Sequence, residues 1–117
     1  MTLQHVSLEV RPRDVPAELE FWRLLGFTPV EPPGPLGERS AWVQRGGTQI
    51  HLMFDETPVG PPNGHAAVVA DDFDAAVAAL RGAGHEVEER GRHWGAARAF
   101  TRTPAGHRVE VMAAPPA

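Results

Sequence analysis

Four residues of this 117-residue chain point most directly to chemistry: His5, His51, His65 and Glu110. Three imidazoles and one carboxylate are good ligands for a divalent first-row metal ion, with Fe, Mn, Ni and Zn all open. Composition removes most competing chemistries. The absence of cysteine excludes thiolate metal sites, disulfides and cysteine nucleophiles. All eleven basic residues are arginines, so lysine bases and Schiff bases are out, and without tyrosine there is no phenolic acid. What remains is six histidines, the carboxylates, the Ser and Thr hydroxyls, and whatever a metal supplies.

Two copies of one pattern must position these residues. Leu3–Val10 alternates, with Val6, Leu8 and Val10 on one face and His5, Ser7 and Glu9 on the other, as a half-buried strand does. A helix follows, with Asp14 as N-cap, Pro16 in the first turn, an apolar stripe through Phe21, Trp22 and Leu25, and Gly26 as the stop. Pro32–Pro35 reads as a loop, and Ser40–Gln44 and Thr48–Phe54 as strands joined by a hairpin at Arg45–Gly47. Asp55–Asn63 carries three prolines and one glycine and reads as a linker, centred on 58–63. The pattern then restarts: strand His65–Ala70, N-cap Asp72, a helix face of Phe73, Ala76, Val77 and Leu80, and stop Gly84. Strands at Val87–Glu89, Ala96–Arg102 and Arg108–Ala113 complete it, the last hairpin turning at Pro104–Gly106.

The copies keep step. His65 lies 60 positions after His5, Gly84 lies 58 after Gly26, and Gly47–Met53 aligns with Gly106–Met112 at a constant offset of 59. An internal duplication explains all three. The expected fold is therefore α+β: two βαβββ modules (1–57 and 64–117) with helices covering the apolar sheet faces, in a single domain; if the sheet curls, the other faces share one concavity. Duplication sets His5 against His65 and His51 against Glu110. Strand parity places His5, His51 and Glu110 on the faces turned away from the helices; both faces of the His65 strand carry Ala and Val, so parity says little there. The plain alternative is that polar residues on strand faces simply meet solvent.

A formal net charge of −4 argues against a nucleic-acid partner, which normally requires a basic stripe. No basic leader or bilayer-length apolar run appears, so no membrane partner and a cytoplasmic location are expected.

The segments HVSLEV, FWRLLGF, GGTQIHLM, GHAAVVADD and AFTRTPAGHRVEVM resemble the vicinal oxygen chelate superfamily of glyoxalases, extradiol dioxygenases, epimerases, fosfomycin-resistance enzymes and bleomycin-resistance proteins. The resemblance covers nearly the whole chain. It implies that the two modules form a curved, partly open, barrel-like sheet with helices outside. It also implies metal ligands at His5, His51, His65 and Glu110, a small-molecule substrate and a homodimer. Three positions depart from the family pattern. Trp22 stands for a tyrosine, as a packing change. Thr103 stands for an aspartate before the last turn, which is expected to weaken that turn. His51 stands where a glyoxalase I has glutamate.

Three histidines and one carboxylate around a divalent ion leave a formal charge of about +1, which favours oxyanionic ligands and removes a carboxylate base. Glu110 is then the catalytic candidate, and a strict glyoxalase I is disfavoured. Without His51, the set reduces to two histidines and a carboxylate, as on Fe(II) or Mn(II). The expected function is a metal-dependent lyase or isomerase, dioxygenase or transferase acting on a small oxygenated substrate. The alternative is a metal-free binding module of the bleomycin-resistance type. Substrate contacts are assigned to Arg98 and Arg102, which share a strand face with Phe100, and to Trp94 in a loop. For the arginines the alternative is edge-strand charge against aggregation; for Trp94 it is a packed loop anchor.

Overall fold

The computed structural model describes residues 1–116 and divides into two compact units, Met1–Gly60 and Pro61–Ala117. The division falls inside the linker expected from the prolines.

In the first unit, β1 (His5–Val10) leads through a 3-10 turn at Pro12–Asp14 into α1 (Val15–Leu24), followed by β2 (Thr28–Val30), β3 (Ser40–Arg45) and β4 (Thr48–Phe54). The sheet order is β1-β4-β3-β2, with β1 parallel to β4 and the other pairs antiparallel. The first strand begins at His5, two residues later than its alternation suggests. Asp14 precedes α1 but makes no side-chain cap; it sits in helical geometry and pairs with Arg11 at 3.9 Å instead. Strand β2 carries too short a pattern to read from sequence, three residues with Pro29 in the middle. Its place at the sheet edge is where a proline is tolerated. The segment expected as a loop continues into a 3-10 helix at Gly34–Glu38.

Phe21 and Trp22 on α1 are fully buried, and each such aromatic contributes roughly 2–3 kcal/mol through area removed from water. Trp22 meets Phe21 and Phe27 edge-on, both at 5.3 Å between centroids, and its indole N–H donates to the buried Glu18 carboxylate at 3.2 Å. The tryptophan is therefore a packing element with a satisfied polar tip. The linker is tied down from within this unit, because the Val59 N–H donates to the Glu9 carboxylate at 2.8 Å.

The second unit repeats the plan: β5 (Ala66–Val69), α2 (Phe73–Gly82), β6 (Glu88–Arg90), β7 (Arg98–Arg102) and β8 (Arg108–Met112), in sheet order β5-β8-β7-β6. Again the first strand runs parallel to the last. Asp72 does cap its helix, accepting the Ala75 N–H at 3.0 Å. Phe73, Val77 and Leu80 are the buried residues of α2, and Val109 and Val111 on β8 are fully buried. Both helices end on a glycine in the left-handed region, Gly26 at φ +88° and Gly84 at φ +92°, where a Cβ would be strained.

Thr103 does not weaken the last hairpin. Its hydroxyl accepts the His107 N–H at 3.2 Å and its own N–H donates to the His107 carbonyl at 2.8 Å, so the hydroxyl supplies the acceptor expected of an aspartate. The arginines of β7 and β8 are not edge residues either, since both strands are internal to their sheet. A protective edge charge cannot account for them.

Candidate functional site

Parity delivers two polar sheet faces, one per unit. In the first, parallel pairing sets Ser7 beside His51 and His5 beside Gln49, and antiparallel pairing sets Trp42 across from His51. The rings therefore pile up. His51 lies between His5 (centroids 4.0 Å, planes 14° apart) and Trp42 (3.7 Å, 4°). Gln49 donates its amide N–H to the Gln44 side-chain oxygen at 2.7 Å, which leaves its own oxygen for His51 Nε2 at 2.8 Å. An amide oxygen only accepts, so Nε2 carries the proton and Nδ1 keeps the lone pair. Burial, and secondarily the charge of His5, hold the His51 pKa below its ordinary value. His5 is more open, and its Nδ1 lies 2.7 Å from the Gln4 side-chain oxygen.

In the second unit, β8 carries Glu110 opposite Phe100 of β7 and opposite Ala67 of β5. His65 precedes β5 by one residue and reaches the same face, its Nε2 3.2 Å from Glu110 Oε1. The other carboxylate oxygen, Oε2, accepts from Arg98 at 3.2 Å. Glu110 is only 7% exposed, so both contacts act largely out of water.

The protonation pattern of this pair matters. His65 Nδ1 lies 2.8 Å from the Asn63 carbonyl oxygen. A carbonyl can only accept, so Nδ1 is the donor, and in a neutral ring Nε2 presents a lone pair to a carboxylate oxygen. Two lone pairs facing at 3.2 Å need a cation, either a proton or a metal ion, to make the contact favourable. A backbone acceptor fixing Nδ1 so that Nε2 is presented is also the usual support of a metal-bound histidine. The donor chemistry of His65 and Glu110 thus fits a divalent ion. Among the described residues, no group of three or more His, Cys, Asp or Glu side chains is gathered so as to hold one.

The expected substrate residues separate. Arg98 is committed to Glu110 and to the Gly91 carbonyl at 2.9 Å, so it orients the carboxylate. Trp94 donates its indole N–H to the Ala114 carbonyl at 2.7 Å, anchoring its loop to the segment after β8. Arg102 lines a cleft of about 590 Å³ together with Arg90, Phe100 and Arg108. Arg108 and Trp42 were not singled out from sequence. The signal for Arg108 was present: Arg102 and Arg108 flank one hairpin turn and so must face each other.

The comparisons with known proteins agree with this architecture. The sequence profile described as Glyoxalase/Bleomycin resistance protein/Dioxygenase superfamily matches residues 2–111, and the chain belongs to that superfamily. Among solved structures, a protein assigned to the glyoxalase family from Bacillus anthracis superposes with a TM-score of 0.84 at 21% identity, covering 96% of this chain and 93% of that one. Oxidase ChaP-H2 gives 0.76 at 20% identity, covering 99% and 95%. Lactoylglutathione lyase from Agrobacterium tumefaciens gives 0.70 at 22% identity, covering 95% and 92%. Such identities establish the fold. No curated protein matches the chain significantly. Among the described residues, no helix is long and apolar enough to cross a membrane.

Proposed function

We propose that this chain is a divalent-metal-dependent enzyme acting on a small, oxygenated, anionic substrate, with His65 and Glu110 as metal ligands. The supporting observation is the His65–Glu110 contact: one nitrogen pinned to a carbonyl, the other turned onto a carboxylate oxygen 3.2 Å away. A divalent ion there supplies Lewis acidity toward the oxygens of a bound substrate. The chain's own residues do the rest. Asn63 fixes the His65 tautomer, and Arg98 holds Glu110 Oε2 so that Oε1 is the oxygen presented. The superfamily resemblance adds His5 and His51 as candidate ligands, and a homodimer and a cytoplasmic location belong to the same reading.

Metal content decides it. Untagged protein is stripped with chelator and reconstituted separately with Mn(II), Fe(II), Ni(II) and Zn(II), and bound metal is measured. One ion per chain is expected, with affinity falling at least tenfold in His65→Ala and Glu110→Ala, the usual order for losing a ligand or its support. A comparable loss in His5→Ala or His51→Ala adds that residue to the set. No stoichiometric binding of any of the four metals by the wild type overturns the proposal.

One observation favours a second reading, a metal-free small-molecule binder. The Arg98 guanidinium already supplies Glu110 with a cation. A ligand screen by thermal shift, with and without chelator, separates the readings: stabilisation that survives chelator belongs to the binder.

A further inference from the structure

On the second sheet, arginine faces arginine twice. Arg90 pairs across β6–β7 with Arg98, and Arg102 pairs across β7–β8 with Arg108. Like charges directly opposite on one face of a sheet are destabilising, so a group that neutralises them is favoured there. The first pair has its compensation. Arg90 meets Glu88 at 3.2 Å and Arg98 meets Glu110 at 3.2 Å. The second pair bonds carbonyls, Arg102 to Gly106 at 3.0 Å and Arg108 to Asn63 at 3.3 Å, which orient the guanidinium groups without cancelling their charge.

The second pair also lines the cleft of about 590 Å³, within the size range of small-molecule sites. The Gly84–Glu88 segment, which runs from the end of α2 into β6, lines it as well. Phe100 sits between the two arginine pairs, with the Arg108 guanidinium carbon 3.9 Å from its ring centroid and those of Arg90 and Arg98 each at 5.4 Å. The Phe100 ring and the Asn63 carbonyl hold the Arg108 guanidinium in place, which leaves its remaining N–H groups for an oxyanion. Two acidic residues also line the cleft: Glu88, whose carboxylate is engaged by Arg90, and Glu86, whose backbone carbonyl accepts from Thr101 while its carboxylate makes no ion pair with Arg102 or Arg108.

We infer that the cleft between the Gly84–Glu88 segment and the β7–β8 hairpin binds the oxyanion group of a small molecule, a carboxylate or a phosphoryl group, through Arg102 and Arg108. It rests on the anionic-substrate part of the proposed function and not on the metal, which the chelator in the test below removes. It differs from the sequence-based assignment in pairing Arg102 with Arg108 rather than with Arg98.

The test uses full-length protein in EDTA at low ionic strength, titrated calorimetrically with inorganic phosphate and, separately, with benzoate. Saturable binding of at least one oxyanion is expected, weakened at least tenfold in Arg102→Gln/Arg108→Gln and unchanged in the exposed first-unit control Arg13→Gln. Equal affinity in the double variant and the wild type, or no saturation by either anion, overturns the inference. Should the double variant fold poorly, amide shifts of the wild type under the same titration decide. Perturbations centred on residues 84–90, 100–102 and 108 support the site, and perturbations confined elsewhere overturn it.

Discussion

The two sheets share a plan and differ in chemistry. Each sets an aromatic ring directly across from the polar-face residue of its last strand: Trp42 across from His51, and Phe100 across from Glu110. Around His51 the neighbours are rings and amides, so the face is held by stacking and by a neutral hydrogen-bond chain. Around Glu110 the neighbours are Arg98 and His65, and the face is held by the Arg98–Glu110 ion pair with His65 Nε2 at 3.2 Å from the same carboxylate. Duplication preserved the strand order, the parity and the glycine stops, while the polar faces diverged. The backbone constrains the former. It leaves the latter free.

The largest expected effect breaks the charged face. Glu110→Ala leaves the Arg98 guanidinium, 12% exposed, without its carboxylate, and is expected to cost about 3 kcal/mol. Urea denaturation reads this as a lower midpoint at unchanged slope. The matching change on the neutral face, His51→Ala, removes a buried ring from two stacks and is expected to cost about 2 kcal/mol. A larger loss for His51→Ala than for Glu110→Ala would reverse the contrast drawn between the faces.

A smaller effect sharpens the comparison at the helices. Asp72→Ala removes a cap bonded to the Ala75 N–H and is expected to cost about 1 kcal/mol. Asp14→Ala, with no cap bond to lose, should cost under about 0.5 kcal/mol by the same denaturation curve. Equal costs would mean that Asp14 caps its helix in solution.

The smallest effect is pH-dependent and belongs to the first unit. The His51 pKa is depressed in the folded protein, chiefly by burial, relative to the ordinary value of about 6.5. The unfolded chain therefore takes up this proton first as pH falls. The stability associated with a neutral His51 is complete above that ordinary value and is lost as pH drops through the folded value below it. For metal-free protein, wild type should lose more stability than His51→Gln between pH 7 and pH 5. Parallel pH profiles would show that His51 is not held neutral by its surroundings.

Much of the scaffold was legible because its signals are local. Alternation from Val6 to Val10, the apolar stripes of both helices, and Gly26 and Gly84 all act over a few residues of backbone. Strand β2 was not legible, because three residues around Pro29 carry no period to detect. The absence of a cap at Asp14 was not legible either, because an Asp before a helix caps it only if its own backbone is extended, as at Asp72 and not at Asp14. At the site, face membership followed from parity for His5, His51 and Glu110, and for His65 from tertiary position.

Sequence alone fixed the duplication, the two sheet-forming patterns and the side of each strand on which the polar residues stand, since pleat and turn geometry are written in neighbouring residues. Tertiary structure decided the partners: His51 between two rings, Glu110 between His65 and Arg98, Arg102 facing Arg108. Partners depend on register between strands tens of residues apart. Register is settled by how whole apolar faces pack, and no local window of residues contains it.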